Sequence, residues 1–164
     1  MATGSIILVH LSDIHFHKRH SGGVYDLDAD LRNELERDAE QMYGQLGSVH
    51  GLLITGDIAF AGHQEEYDIA LQWLQHLCGK LGCPPENIWT TPGNHDVDRS
   101  VIDKSRLLQI SHQRLRPPDP RRIDVELRGL LEDPEAAPLL FRPIKNYLDF
   151  AAKFGCDIGP NVLY

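Results

Sequence analysis

The stretch Gly51-Leu52-Leu53-Ile54-Thr55-Gly56-Asp57 decides the fold. Three consecutive apolar residues between glycines are typical of a short buried strand, and Asp57 follows directly at its end. In an open α/β sheet, ligands bind beyond the carboxyl ends of the strands, so an acid in this place faces a binding crevice. Considered alone, Asp57 is more typical of a residue that caps the following turn. Only the rest of the chain can favour the functional interpretation.

Two further strands are predicted, and each leads into a polar motif. Residues 5–11 form a β-branched apolar run that precedes Asp13-Ile14-His15, and residues 87–91 precede Gly93-Asn94-His95-Asp96. Because parallel strands end at the same edge of a sheet, all three motifs are expected to converge despite their separation in sequence. The converging groups are carboxylates, imidazoles and one amide, which suit divalent metals such as Mn, Fe and Zn.

Helices are predicted between these strands, over residues 26–46 and 64–81, because apolar residues recur there every three or four positions. In the first helix the apolar residues on one face are Leu27, Leu31, Leu35, Ala39, Met42 and Leu46. In the second, the residues expected to point inward are Tyr67, Leu71, Leu74 and Leu77. Alternating strands and helices predict an α/β fold with a parallel sheet and right-handed crossovers.

Beyond residue 100 the pattern is helical. We predict one helix through Ile102, Leu107 and Ile110, a second over 122–132 and a third over 139–154, with a stiff proline-rich connector before the second. The third carries an apolar stripe that needs a partner, formed by Leu140, Ile144, Tyr147, Ala151 and Phe154. The pattern of residues 161–164 predicts the beginning of a strand that continues beyond the given sequence. We therefore expect 1–164 to be one domain truncated at its C-terminus, part of a longer chain with further domains.

Composition is that of an ordinary globular protein. The 164 residues carry a formal charge of −8, which disfavours nonspecific attraction to nucleic acid or to an anionic membrane. The three cysteines are odd in number and form no paired framework, so we expect reduced thiols and a cytoplasmic location. No apolar run is long enough to cross a membrane.

Each motif has a specific chemical use. In an extended chain Asp13 and His15 would point the same way and grip one ion, although such a pair also occurs in ordinary loops. Asp57 has two carboxylate oxygens that could bridge two metals. Asn94 offers a neutral oxygen, and His95 could protonate or hydrogen-bond a leaving oxygen while Asp96 fixes its ring. A plain turn is the alternative for this last motif.

In combination, the ordered motifs DxH, GD and GNHD resemble the calcineurin-like metallophosphoesterase family over residues 5 to about 99. The resemblance implies a layered α/β sandwich, of which this chain would hold the N-terminal βαβαβ half (1–99) and a helical segment (100–164) leading to a missing second sheet. It also implies a hydrolase of phosphomonoesters or phosphodiesters with two divalent metal ions and a bridging hydroxide.

The resemblance also implies roles for individual residues. Asp13 and His15 would bind the first metal, Asp57 would bridge both metals, and Asn94 would bind the second. His95 would then be the catalytic group that acts on the substrate, with Asp96 as its orienting partner.

One departure from the family pattern is visible. Members complete the site with later histidines, one after an apolar strand and two in a GHxH motif, whereas His112 is the only histidine after His95 here. The alternative function is therefore a non-catalytic metal-binding or regulatory module with an incomplete site. The resemblance implies a phosphorylated substrate, nucleotides included, and the acidic charge disfavours nucleic acid. Arg99 and residues 17–20 could contact phosphate or simply face solvent.

Overall fold

The computed structural model describes residues 5–18 and 27–159 and has a three-stranded parallel sheet at its centre. The strands are β1 (Leu8–Leu11), β2 (Gly51–Thr55) and β3 (Ile88–Thr91), in the order β1-β2-β3. Leu11 lies opposite Ile54, which in turn lies opposite Thr90. The predicted α/β class with a parallel sheet is confirmed, although β1 begins at Leu8 and is shorter than the apolar run 5–11.

Two crossover helices join the strands, α1 (Leu27–Leu46) and α2 (Gln64–Leu81). Helix α2 ends at Gly82, which adopts the left-handed conformation and donates its N–H to the carbonyl of Cys78. Its inward face is as predicted: Tyr67, Leu74 and Leu77 are almost fully buried, and Leu71 packs against the same core. This helix therefore forms the main apolar layer over the sheet.

Helix α1 differs from its sequence pattern. Leu31, Met42 and Leu46 of the apolar face are 60%, 42% and 54% exposed, whereas the buried side chains are Arg32 and Glu36. The reason is electrostatic and aromatic pairing, since the Arg32 guanidinium lies 5.1 Å from the Phe16 ring centre and Glu36 accepts from Nζ of Lys80 on α2 at 2.9 Å. Periodicity locates the helix correctly but not the direction it faces.

The remaining chain is helical, with shorter elements than predicted. In the described residues it forms α3 (Arg99–Asp103), α4 (Arg106–Arg114), α5 (Ile123–Glu132), α6 (Ala137–Phe141) and α7 (Lys145–Ala151). The single helix predicted through Ile102 and Ile110 is two helices, because Ser105 caps a new one by accepting from the N–H of Leu108 at 3.4 Å. The helix predicted over 139–154 is interrupted by a 3₁₀ turn at Arg142–Ile144, which contains Pro143.

The apolar stripe of this last helical region finds its partner within the chain. Tyr147 and Ala151 are fully buried, α7 packs on α2, and the Tyr147 hydroxyl lies 3.0 Å from the Thr90 hydroxyl on β3. The predicted need of the stripe for a partner is thus met by α2 and the core of this chain. The strand predicted over 161–164 lies outside the described residues, and the missing second sheet stays a prediction.

The core lies on one face of the sheet only. Val9, Leu52, Ile54 and Ile88 point into the layer of helices, while Leu8 and Trp89 on the opposite face are 44% and 45% exposed. Within the described part of the chain, none of the helices has the length and apolar character needed to cross a bilayer. The polar motifs follow the strands at the carboxyl edge of this sheet.

Candidate metal centre

The loops after β1 and β2 run side by side and bring the first two motifs together. The N–H of Asp13 donates to the carbonyl of Gly56 at 3.2 Å, and the N–H of His15 donates to the carbonyl of Asp57 at 3.0 Å. One residue later, the N–H of Phe16 donates to the carbonyl of Ile58 at 2.8 Å. These bonds continue the parallel pairing beyond the strands, so the positions of the motif residues are fixed by the sheet.

Three of the predicted metal ligands have unusual backbone conformations. Asp13, His15 and Asp57 have φ angles of 55°, 53° and 52°, in the left-handed region. The prediction that Asp13 and His15 extend the strand is therefore wrong, because β1 ends at Leu11 and the chain turns at each of them. Such conformations cost of order 1–3 kcal/mol each and cluster at functional sites, where the surrounding structure holds them.

Side chains from all three motifs meet in one group, formed by His15, Asp57 and His95. One ligand atom from each lies within 4.8 Å of the others, and the two imidazole rings are 4.6 Å apart at 74°. Among the described residues Nδ1 of His15 finds no hydrogen-bond partner, although it is shielded from solvent. An orphaned imidazole nitrogen beside a carboxylate and a second imidazole fits a divalent cation such as Zn, Fe or Mn.

Asp13 does not join this group, although it was predicted as a ligand of the first metal. Its backbone lies beside Gly56, one residue from Asp57, and its side chain is exposed. His95, predicted to act on substrate, lies among the candidate ligands instead.

Glycine at position 93 lets the loop after β3 approach the loop after β2. A Cβ atom there would lie 2.2 Å from Oδ1 of Asp57, closer than any real contact. The same oxygen accepts the backbone N–H of His95 at 2.8 Å. Asp57 is therefore fixed by the third motif.

The imidazole of His95 is oriented by a backbone carbonyl. Its Nδ1 lies 2.7 Å from the carbonyl oxygen of Phe60, and since a carbonyl only accepts, Nδ1 must carry the proton. Nε2 is then free to bind a cation or to face a substrate oxygen. Sequence reasoning missed Phe60, because a backbone acceptor leaves no signal in residue type.

Asp96 has a different position from the one predicted. Its buried carboxylate accepts four hydrogen bonds, from the N–H groups of Ile58 (3.3 Å), Ala59 (2.9 Å) and Gly93 (2.9 Å) and from the Tyr67 hydroxyl (2.8 Å). Asp96 therefore ties the loops after β2 and β3 to helix α2, while the carbonyl of Phe60 takes the predicted role of orienting His95.

Sequence reasoning did not identify Tyr67 as the hydrogen-bond partner of Asp96. Burial raises the pKa of its phenol far above the ordinary value of 10.0, and the Asp96 charge and hydrogen bond raise it further. The phenol therefore stays a hydrogen-bond donor. Its place on the predicted inward face was a usable signal, since a buried tyrosine hydroxyl usually needs a polar partner.

Asn94 and His95 line a pocket of about 290 Å³ beside the candidate metal ligands. Its other lining residues are Phe60, Ala61, His63, Val97, Asp98, Arg99 and Ser100. Arg99, which was expected to contact phosphate or to face solvent, therefore lies at the site. Among the described residues its guanidinium forms no salt bridge. His17 contacts the Phe60 ring, whereas Arg19 and His20 lie outside the described residues.

Comparison with known proteins agrees with this geometry. A model of the calcineurin-like phosphoesterase family matches residues 6–160. The chain is also 27% identical over 146 residues to the "Uncharacterized metallophosphoesterase-like protein YydB" of Bacillus subtilis (strain 168). The aligned region covers 88% of this chain but 27% of that relative, so the chain spans about a quarter of the relative's length.

Proposed function

The chain belongs to the calcineurin-like phosphoesterase family, and we propose that it takes part in metal-dependent hydrolysis of phosphomonoesters or phosphodiesters. The observation that carries this proposal is the group of His15, Asp57 and His95 at the carboxyl ends of three parallel strands. Oxygen and nitrogen donors at that edge suit a divalent cation, and the edge is where α/β sheets bind their ligands.

We extend the proposal to two cations, with Asp57 as the shared ligand and Asp13 and Asn94 as further donors. Asp13 is held by the backbone pairing next to Asp57, and Asn94 precedes His95 at the pocket wall. Mn, Fe and Zn all fit these donors. Bound divalent cations lower the pKa of water and neutralise charge on phosphoryl oxygens.

The protein groups orient the substrate and handle its leaving oxygen. With Nδ1 of His95 donating to the Phe60 carbonyl, an Nε2 that also carries a proton can donate to a phosphoryl or leaving oxygen, whereas an Nε2 without a proton can bind a cation. Arg99 and Asn94 border the same pocket and can donate to phosphate oxygens. A phosphorylated substrate, nucleotides included, fits this arrangement better than nucleic acid does, because the chain's charge is −8.

The cytoplasmic location also stays a prediction. Its support is that Cys78, Cys83 and Cys156 are free thiols.

The second candidate function is a non-catalytic metal-binding module. It is favoured by one observation: within the described residues, Asp13 stands apart from the three-residue group. Such a module would bind a cation tightly without turning over a phosphoester. Catalysis and binding must therefore be measured separately.

The experiment combines calorimetric Mn²⁺ titration with hydrolysis of bis-p-nitrophenyl phosphate and p-nitrophenyl phosphate, using the parent chain and Asp57→Asn. Loss of hydrogen-bonding partners of metal ligands alone costs 10–100-fold in affinity or activity, so we expect loss of the charge and of one oxygen of a direct ligand to cost at least about 100-fold in both readouts.

A further variant, His95→Gln, tests a histidine of the site. Its matched control is His76→Gln, because His76 is an exposed histidine on α2 away from the site. The control should keep parental values. Metal binding without hydrolysis in the parent supports the non-catalytic module, and Mn²⁺ binding unchanged by Asp57→Asn refutes both functions.

A further inference from the structure

Phe60 is an exposed aromatic residue beside the candidate metal ligands. It is 47% exposed, lies next to the candidate metal ligands and lines the pocket. Its ring centre is 5.5 Å from that of His95 and 6.3 Å from that of His15. Single exposed apolar residues are ordinary on protein surfaces, so the place of Phe60 at the pocket, beside two candidate metal ligands, is what indicates a ligand contact.

The ring belongs to a loop that is held by several hydrogen bonds. The N–H of Phe60 donates to the carbonyl of Phe16 at 3.1 Å, and its own carbonyl accepts from His95. The next turn is held by buried Glu66, whose carboxylate accepts from the N–H groups of Ala61 and His63 at 3.0 Å each. The backbone of Phe60 is therefore held by hydrogen bonds at both its N–H and its carbonyl.

A second ring supports the first. His17 packs against Phe60 with ring centres 4.1 Å apart and planes at 31°, and Nε2 of His17 lies 3.3 Å from a carboxylate oxygen of Asp28. His17 thus covers part of the phenyl ring, while the Phe60 residue stays 47% exposed. This arrangement resembles the stacking platforms on which aromatic ligands lie.

The pocket has two chemical sides. Phe60, Ala61 and Val97 provide apolar surface, while Arg99 and Ser100 provide hydrogen-bond donors. Its volume of about 290 Å³ is at the lower end of ligand pockets, enough for one compact group beside a phosphate.

From these observations we propose that Phe60 selects phosphoesters whose organic group is a planar heteroaromatic ring, such as a nucleobase, which stacks on its phenyl face. The proposal rests on the proposed function, because the metal centre must hold the phosphate while the ring occupies the pocket. Phe60 is a specificity residue through its side chain and a positioning residue through its carbonyl. Only the side chain is altered by substitution.

The test compares equilibrium binding of AMP and ribose 5-phosphate to the Mn²⁺-loaded chain by calorimetry. The two probes share a sugar phosphate and differ in the base. Stacking of one base on an aromatic side chain corresponds to roughly 5- to 150-fold in affinity, so we expect AMP to bind at least about 5-fold more tightly.

Three variants separate the ring from other effects. Phe60→Leu keeps the carbonyl and an apolar side chain, and should lower the AMP to ribose 5-phosphate affinity ratio at least about 5-fold. Phe60→Tyr should restore the ratio. The control is Phe154→Leu, because Phe154 lies in the turn that packs on residues 85–87 before β3, at the opposite end of the sheet.

The outcomes are distinguishable. Equal binding of the two probes, or a parental affinity ratio in Phe60→Leu, overturns the stacking proposal and leaves the metal site intact. Failure of both probes to bind in the presence of Mn²⁺ overturns the proposed function and the stacking proposal together. A ratio that falls in Phe60→Leu and returns in Phe60→Tyr supports it.

Discussion

Replacement of Asp96 by asparagine should destabilise the whole carboxyl edge of the sheet. The carboxylate accepts four hydrogen bonds, and an amide of the same size keeps one acceptor oxygen while its NH₂ faces donors. Hydrogen bonds to a charged group contribute about 1.5–3 kcal/mol each. With two of them lost and non-additive, we expect the free energy of unfolding of Asp96→Asn to fall by about 3–5 kcal/mol.

Urea denaturation followed by circular dichroism measures this change as a shift of the midpoint at constant slope. Tyr67→Phe removes only the phenolic donor and should cost about 1–2 kcal/mol. Asp103→Asn, at an exposed position on α3, should stay within about 0.5 kcal/mol of the parent. A loss below about 1 kcal/mol in Asp96→Asn would refute the inference that this carboxylate holds the two loops together.

Two further substitutions test the packing around the site and the core. Gly93→Ala should lower the free energy of unfolding by about 1–3 kcal/mol and weaken Mn²⁺ binding, because the new methyl group would clash with the Asp57 carboxylate. The control is Gly79→Ala, in open space on α2, which should be neutral or stabilising. Equal melting temperatures for the two variants would contradict this prediction. Burial raises the pKa of the Cys78 thiol from 9.0 to about 12, so the unfolded chain loses this proton first and the free energy of unfolding should fall between pH 9 and 12. Cys78→Ala should lessen that fall, and identical pH profiles of unfolding for Cys78→Ala and the parent would contradict this.

Much of the fold follows from hydrophobic periodicity. The apolar runs before each polar motif locate all three strands, and the inward face of α2 is found at Tyr67, Leu74 and Leu77. Periodicity fails for α1, where pairing of Glu36 with Lys80 buries polar side chains and leaves Leu31 exposed. A charged pair across two helices has no signature in the hydrophobic pattern of either one.

The candidate site is predictable in its residues but not in their geometry. Motif order brings His15, Asp57 and His95 to one edge, yet nothing in the residue types shows that His15 and Asp57 have positive φ angles. Proton placement on His95 depends on the carbonyl of Phe60, and every residue has a carbonyl. Asp96 stands next to His95 in sequence, but its carboxylate bonds to Tyr67 and three backbone donors, none of which sequence order could identify.

The left-handed backbone at Asp13 and Asp57 restricts which substitutions can inactivate the site without straining the chain. Asparagine and aspartate tolerate that conformation better than other residues with a side chain, whereas alanine adds about 1–2 kcal/mol of backbone strain. Alanine scanning here would thus confuse loss of a ligand with local misfolding. Asparagine substitutions are the better choice there, because they remove the carboxylate charge without that added backbone strain.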